Sequence, residues 1–140
     1  MDRYLYKAKR LDNGEWVQGV PFEIEGKQVI LIKDNENLLR VHYLEENMWT
    51  AEIYAIEVDA STICQCTGLK DKNGKLIWEH DIVLDSDERA FYEIIWNQED
   101  MCWNVEDADG HKSEFEECYG STIEVNGNRF DNSELLESEG

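Results

Sequence analysis

Four short stretches carry residue types whose spacing could do chemistry, and they imply different sites. Cys64 and Cys66, one residue apart, could be half of a zinc site, with His80, Cys102, His111 or Cys118 completing it. The run Trp78-Glu79-His80-Asp81 sets an imidazole between two carboxylates, the raw material of general acid–base work. The stretches D-K-N-G (residues 71–74) and D-A-D-G (residues 107–110) offer oxygen ligands ahead of a glycine, as a calcium loop does.

Each stretch falls short of its chemistry. Structural zinc sites draw ligands from two tight cysteine or histidine pairs, and this chain has no second pair. On a strand Cys64 and Cys66 point to one face, as two small core residues do. An EF-hand loop with Gly110 in its sixth position places Asp107, Asp109 and Glu116 well but puts Val105 first, where a ligand is required. With Gly74 in that place, Leu69 comes first and His80 last, so that loop fails at both ends. A histidine beside carboxylates on a strand reads first as a surface residue. The chain also lacks a G-x-S-x-G elbow, a P-loop and a G-x-G-x-x-G turn. The expectation is a protein without catalytic, metal or cofactor-binding residues.

The same Asx-Gly stretches read better as turns. L-D-N-G-E-W (residues 11–16), D-K-N-G-K (residues 71–75) and D-A-D-G-H-K (residues 107–112) each separate two apolar runs. An Asn or Asp side chain can bond the backbone there, and the glycine can take positive φ without steric cost. A type I turn closed by Gly14, Gly74 or Gly110 in a left-handed bulge is the specific expectation. Between the turns the apolar residues alternate or come in β-branched and aromatic bursts. Residues 27–33, 51–58, 80–84, 91–96, 101–106 and 121–127 all read as strands. Residues 35–47 fit a helix, a long loop or a hairpin. Asn132 as a cap with Glu134 in the first turn predicts a short terminal helix from Ser133. The fold class is mainly β, as a β-rich α+β chain. A β-hairpin region (residues 1–67) precedes an SH3-like small barrel (residues 68–140), whose closure would remove exposed sheet edges.

Composition bounds the partners. The 140 residues are 41% hydrophobic, enough for a packed core. No apolar run approaches the ~20 residues that cross a bilayer, and residues 1–10 lack the apolar core of a signal peptide. The expected location is the cytoplasm, with Cys64, Cys66, Cys102 and Cys118 as reduced thiols. The net charge of −19 is uneven: residues 1–70 hold 8 Lys/Arg against 12 Asp/Glu, residues 71–140 hold 5 against 20. Such a chain repels phosphate backbones, which argues against direct nucleic-acid binding. An acidic surface can also dock on a basic protein. The run of residues 85–117, with 12 acids and 2 bases, could even mimic DNA if its carboxylates form one stripe. Five tryptophans are many for so small a core. Trp78, Trp96 and Trp103 are therefore candidates for an interface or groove.

Two blocks carry a family resemblance. T-G-L-K-D-K-N-G-K-L-I-W-E-H-D-I-V (residues 67–83) and I-E-V-N-G-N-R-F-D-N-S-E-L-L-E (residues 123–137) resemble the signature of the YopX-like proteins of bacterial phages and prophages. Residues 6–20 and 56–69 resemble that family's first part as well. Three positions depart from its pattern: His80 stands for a glycine, Asn126 for an isoleucine and Ser133 for a proline. The resemblance implies a mainly β, self-associating protein of a phage or prophage in a bacterial cytoplasm, with no established activity. The residues expected to matter are then structural: Gly68 and Gly74 for backbone geometry, Asp71 and Asn73 for the turn, and Asp81 as a polar anchor after it.

Overall fold

Glycine-centred turns set the path of the chain. In the computed structural model, which describes residues 5–32, 40–52, 54–115 and 121–137, Gly14, Gly74 and Gly110 all take positive φ, between 73° and 88°. Contacts divide the chain into two compact units, one ending at Cys64 and the other beginning at Gln65. That division falls a few residues before the expected one at 67/68.

In the first unit, β1 (Tyr6–Lys9), β2 (Trp16–Ile24), β3 (Lys27–Ile32) and β6 (Tyr54–Glu57) pair antiparallel in the order β6-β3-β2-β1. Ala8, Ile30 and Val58 form its core, with Tyr6, Val17 and Ile63 packed against them. Glu25 (φ 50°) and Gly26 (φ 82°) make the two-residue turn from β2 to β3. Two positive φ values in succession give the twist that a tight antiparallel connection needs. Gly19 is required for close approach, since a methyl there would overlap the Leu31 carbonyl oxygen. Residues 40–52 resolve the open reading of that region as a hairpin, β4 (Arg40–Glu45) with β5 (Met48–Glu52). Residues 35–39 of that stretch lie outside the described residues.

In the second unit, β7 (Cys64–Lys70) pairs with β8 (Leu76–Trp78) across the D-K-N-G turn. Gly68 (φ 82°) lies where their register shifts. A second sheet holds β9 (Asp81–Asp85), β10 (Ala90–Asn97), β11 (Cys102–Glu106), β12 (Lys112–Glu114) and β13 (Ile123–Asn128), in the order β12-β11-β10-β9-β13. Ile77 of the hairpin joins Val83, Ile94, Val105, Phe115 and Ile123 of the sheet region in one buried cluster, with Leu69, Tyr92, Trp103 and Val125 against it. Burial on this scale, about 1.5–3 kcal/mol for each large apolar side chain, is what holds the hairpin on the sheet.

Two sequence expectations change. Among the described residues no pairing joins β12 to β13, so the sheet is open and not a closed barrel. The terminal helix is a single 3₁₀ turn (Ser133–Leu135). Asn132 makes no side-chain cap bond to that turn; its Oδ1 accepts from the Asn128 backbone N–H at 3.2 Å, on the strand side. With its cap turned away, the segment stops after one turn.

One carboxylate ties the hairpin turn to the sheet. Asp71 Oδ1 accepts from the N–H groups of Asn73 (2.8 Å) and Lys75 (2.9 Å), and its Oδ2 accepts from Val125 N–H of β13 (2.9 Å). The Lys72 N–H donates to the Ile123 carbonyl at 3.0 Å beside it. Burial alone would push the Asp71 carboxyl up, but the N–H groups of Val125, Lys75 and Asn73 outweigh it and hold the pKa below the ordinary value.

Two predictions follow from this geometry. A depressed native pKa means that stability present above the ordinary carboxylate range, near ~3.9, disappears as pH falls through the lower native value. Asp71→Asn puts a donor where acceptors are needed. It should cost about 1–3 kcal/mol at neutral pH, and the gap to the native chain should narrow below about pH 4. Urea unfolding at pH 7 and pH 3 reads this directly; an equal gap at both would refute it. Gly74 has open space around its Cα, so only its φ resists a side chain. Gly74→Val should cost about 1 kcal/mol and Gly74→Asn less, because Asn tolerates this region; identical urea midpoints for all three chains would show that the turn is not under this constraint.

Candidate functional site

The turns that build the second unit also border a concavity. The β9–β10 turn is opened by Asp85, whose Oδ1 accepts from Asp87 N–H at 2.9 Å, while Arg89 N–H donates to the Asp85 carbonyl at 2.7 Å. The β11–β12 turn repeats the Asp71 device. Asp107 Oδ1 accepts from Asp109 and His111 N–H, both at 2.9 Å, and Gly110 N–H donates to the Asp107 carbonyl at 3.0 Å. In an antiparallel meander alternate turns lie at the same end, so these two are neighbours. A groove of about 530 Å³ runs beside them. Phe91, Leu135 and Leu136 give it apolar walls; Arg89, Asp107 and Asp109 give it a charged rim.

A backbone donor governs Asp107 at this end and a side-chain acceptor governs Tyr92. The His111 N–H, followed by that of Asp109, holds the Asp107 carboxyl below its ordinary pKa. Tyr92 OH donates to Glu88 Oε2 at 2.6 Å; that bond, with burial, pushes the phenol up to about 12. Tyr92 thus stays a neutral donor. Asp107, Asp109 and His111 also bring one potential ligand atom each within 4.8 Å of one another. The Asp107 oxygen facing the turn is already occupied by two N–H groups, and the cluster is read as a turn.

The sequence-derived residues separate into distinct places. Gly68, Asp71, Asn73 and Gly74 belong to the β7–β8 turn and its docking on β13, where Asn73 Nδ2 also donates to Glu124 Oε1 at 3.1 Å. Asp81 Oδ2 accepts from Trp78 N–H at 2.8 Å, an anchor at the start of β9. Trp78 is only 5% exposed, so it serves the interior and presents no interface. Trp96 and Trp103 do meet, edge to face at 5.1 Å, and Trp96 is 36% exposed. Cys64 and Cys66 are buried, with the Cys64 thiol donating to the Thr62 carbonyl. The Trp49 side chain and Cys118 lie outside the described residues.

His80 pairs with a residue that sequence spacing does not indicate. Its Nδ1 lies 2.7 Å from Glu93 Oε2, and Arg129 Nη1 lies 3.3 Å from the same oxygen. Glu79 is more distant, at 3.8 Å, and Asp81 is turned to Trp78. His80 lines none of the three described concavities. The strand alternation around Phe91 and the Leu135-Leu136 pair are the available signals for the groove; spacing alone reads the first as a strand and the second as part of a short helix.

The described acids of residues 85–115 do not form one row. Asp85 and Glu93 are buried. Asp87, Glu88, Asp107 and Asp109 lie at the groove end, and Glu99 and Asp100 lie in the β10–β11 turn at the other end. Among the described residues no helix is long and apolar enough to cross a membrane. No curated protein matches the chain. The sequence profile of the family described as "YopX protein" matches residues 5–137. The chain belongs to the YopX protein family.

Proposed function

We propose that this chain is a phage- or prophage-encoded accessory protein: a non-enzymatic, acidic, self-associating module that acts in the bacterial cytoplasm by binding a basic protein. The observation that carries this reading is the groove walled by Phe91, Leu135 and Leu136, whose described rim residues set Asp107 and Asp109 against the single cation Arg89. Apolar walls can take aliphatic or aromatic side chains, while the carboxylates select lysine or arginine next to them. None of the side chains lining it makes a nucleophile–base pair, which favours binding over catalysis. The division of carboxylates between two ends supports a local basic contact better than a DNA-like stripe.

We also read the second unit as SH3-like in its strand order, with the sheet left open. Its support is the chain order, a meander of four strands followed by a return of β13 onto β9, with the β7–β8 hairpin filling the core.

The test is affinity capture from a lysate of the bacterium carrying the gene, with a rising salt elution read by mass spectrometry. The native chain should retain a basic protein that leaves at moderate salt. Asp109→Lys and Leu136→Asp should each weaken that retention by about tenfold or more with unchanged thermal unfolding. Equal retention by all three baits would dismiss the groove as the site.

A further inference from the structure

The first unit exposes an apolar strip that its own sheet does not use. Val20, Phe22 and Ile24 alternate along β2, so they share one face, and they are 53%, 55% and 41% exposed. Lysines border this strip. Lys27 lies across from Ile24. At the other end Lys7 and Lys9 stand over Trp16, which shares the face of Val20. Contiguous apolar surface of this kind marks an interaction site.

The same unit carries an arm of matching character. β3 and β6 are direct antiparallel neighbours from Val29↔Glu57 to Ile32↔Tyr54, so a tight turn would join them. Residues 33–53 instead include the β4–β5 hairpin, which among the described residues pairs with no other strand. An isolated two-stranded hairpin is marginal in water. Its tip exposes Leu44 (57%) and Met48 (50%) on either side of Glu45, Glu46 and Asn47.

Charge selects which surfaces can meet in a chain of net −19. Residues 5–32 hold four Lys/Arg and four Asp/Glu and are neutral, whereas residues 40–52 hold one Arg and three Glu. We propose that the tip of the β4–β5 hairpin of one copy lies on the Val20–Phe22–Ile24 strip of a second copy, with Leu44 and Met48 on the apolar residues and Glu45 and Glu46 toward the bordering lysines. This rests on the self-association reading above and names its surface. It sets an acidic hairpin tip against the neutral segment of residues 5–32, so the two surfaces meet with little like-charge repulsion.

Sedimentation velocity over a range of concentrations tests it, with Phe22→Glu and Met48→Glu as variants. Met48 sits at an exposed tip, so its substitution leaves the sheet intact, and thermal unfolding checks both chains. Each variant should raise the dissociation constant by about tenfold or more. In parallel, p-benzoylphenylalanine at position 22, in a mixture of unlabelled and nitrogen-15-labelled chains, should crosslink to the peptide of residues 40–52 with mixed isotopes. Association that both variants leave unchanged, or crosslinks to other peptides or within one chain, would overturn this contact while leaving self-association standing. A native chain that stays monomeric at every concentration would remove both.

Discussion

The Asp71 carboxylate, shared among three backbone N–H groups, is the interaction on which the second unit depends. Two of its bonds close the D-K-N-G turn and the third reaches β13, which lies more than fifty residues further along the chain. A turn carboxylate normally satisfies only its own neighbours. Here the local bonds fix the side chain rotamer, so the distant bond to Val125 forms at little further entropic cost. The β7–β8 hairpin is thereby set in register with Ile77 over Val83 and Ile94, where burial of the apolar cluster holds it.

The same chemistry recurs at Asp85 and Asp107, and it alters how the acidity should be read. Three of the carboxylates that make the second half so negative accept N–H bonds within their own turns. Glu93 is committed to His80 and Arg129. Such bonds keep Asp71 and Asp107 ionised, so they leave the net charge as it is and fix where it sits. What remains outward is clustered at sheet ends and most concentrated beside the groove, where Phe91, Leu135 and Leu136 add apolar surface. A partner recognised there needs both a cation and an apolar side chain, a narrower demand than positive charge alone.

Local rules made the turns legible and left the long-range partners hidden. An Asp two residues before Asn or Asp, with glycine following, states its own geometry, and Gly74 and Gly110 take the positive φ this requires. Strand positions followed from alternation for the same reason. The Val125 bond of Asp71 and the Glu93 partner of His80 depend on which strands lie side by side, and register is not written in any local window. The terminal segment shows a competition that spacing cannot resolve. Asn132 could cap a helix or bond back to Asn128, and the strand-side bond wins. The groove was missed because Leu135 and Leu136 look the same whether they face a helix core or line a surface cleft.

His80 shows how a departure from the family pattern can be absorbed. It occupies a position where glycine is expected, and its φ of 69° carries the strain that glycine would avoid, on the order of 1–3 kcal/mol. The backbone there is over-determined. His80 N–H donates to the Ile94 carbonyl at 2.7 Å, and its own carbonyl accepts from Arg129 N–H at 2.9 Å. Those two bonds join the start of β9 to β10 and to the end of β13, so the chain cannot relax away from positive φ without losing both. The side chain then offsets part of the strain, because Nδ1 meets the buried Glu93 carboxylate and the ring stands edge-on to Phe130 at 5.7 Å. A glycine would leave Glu93 with Arg129 alone among these partners. The substitution thus exchanges backbone ease for a polar cluster that links three strands of the sheet.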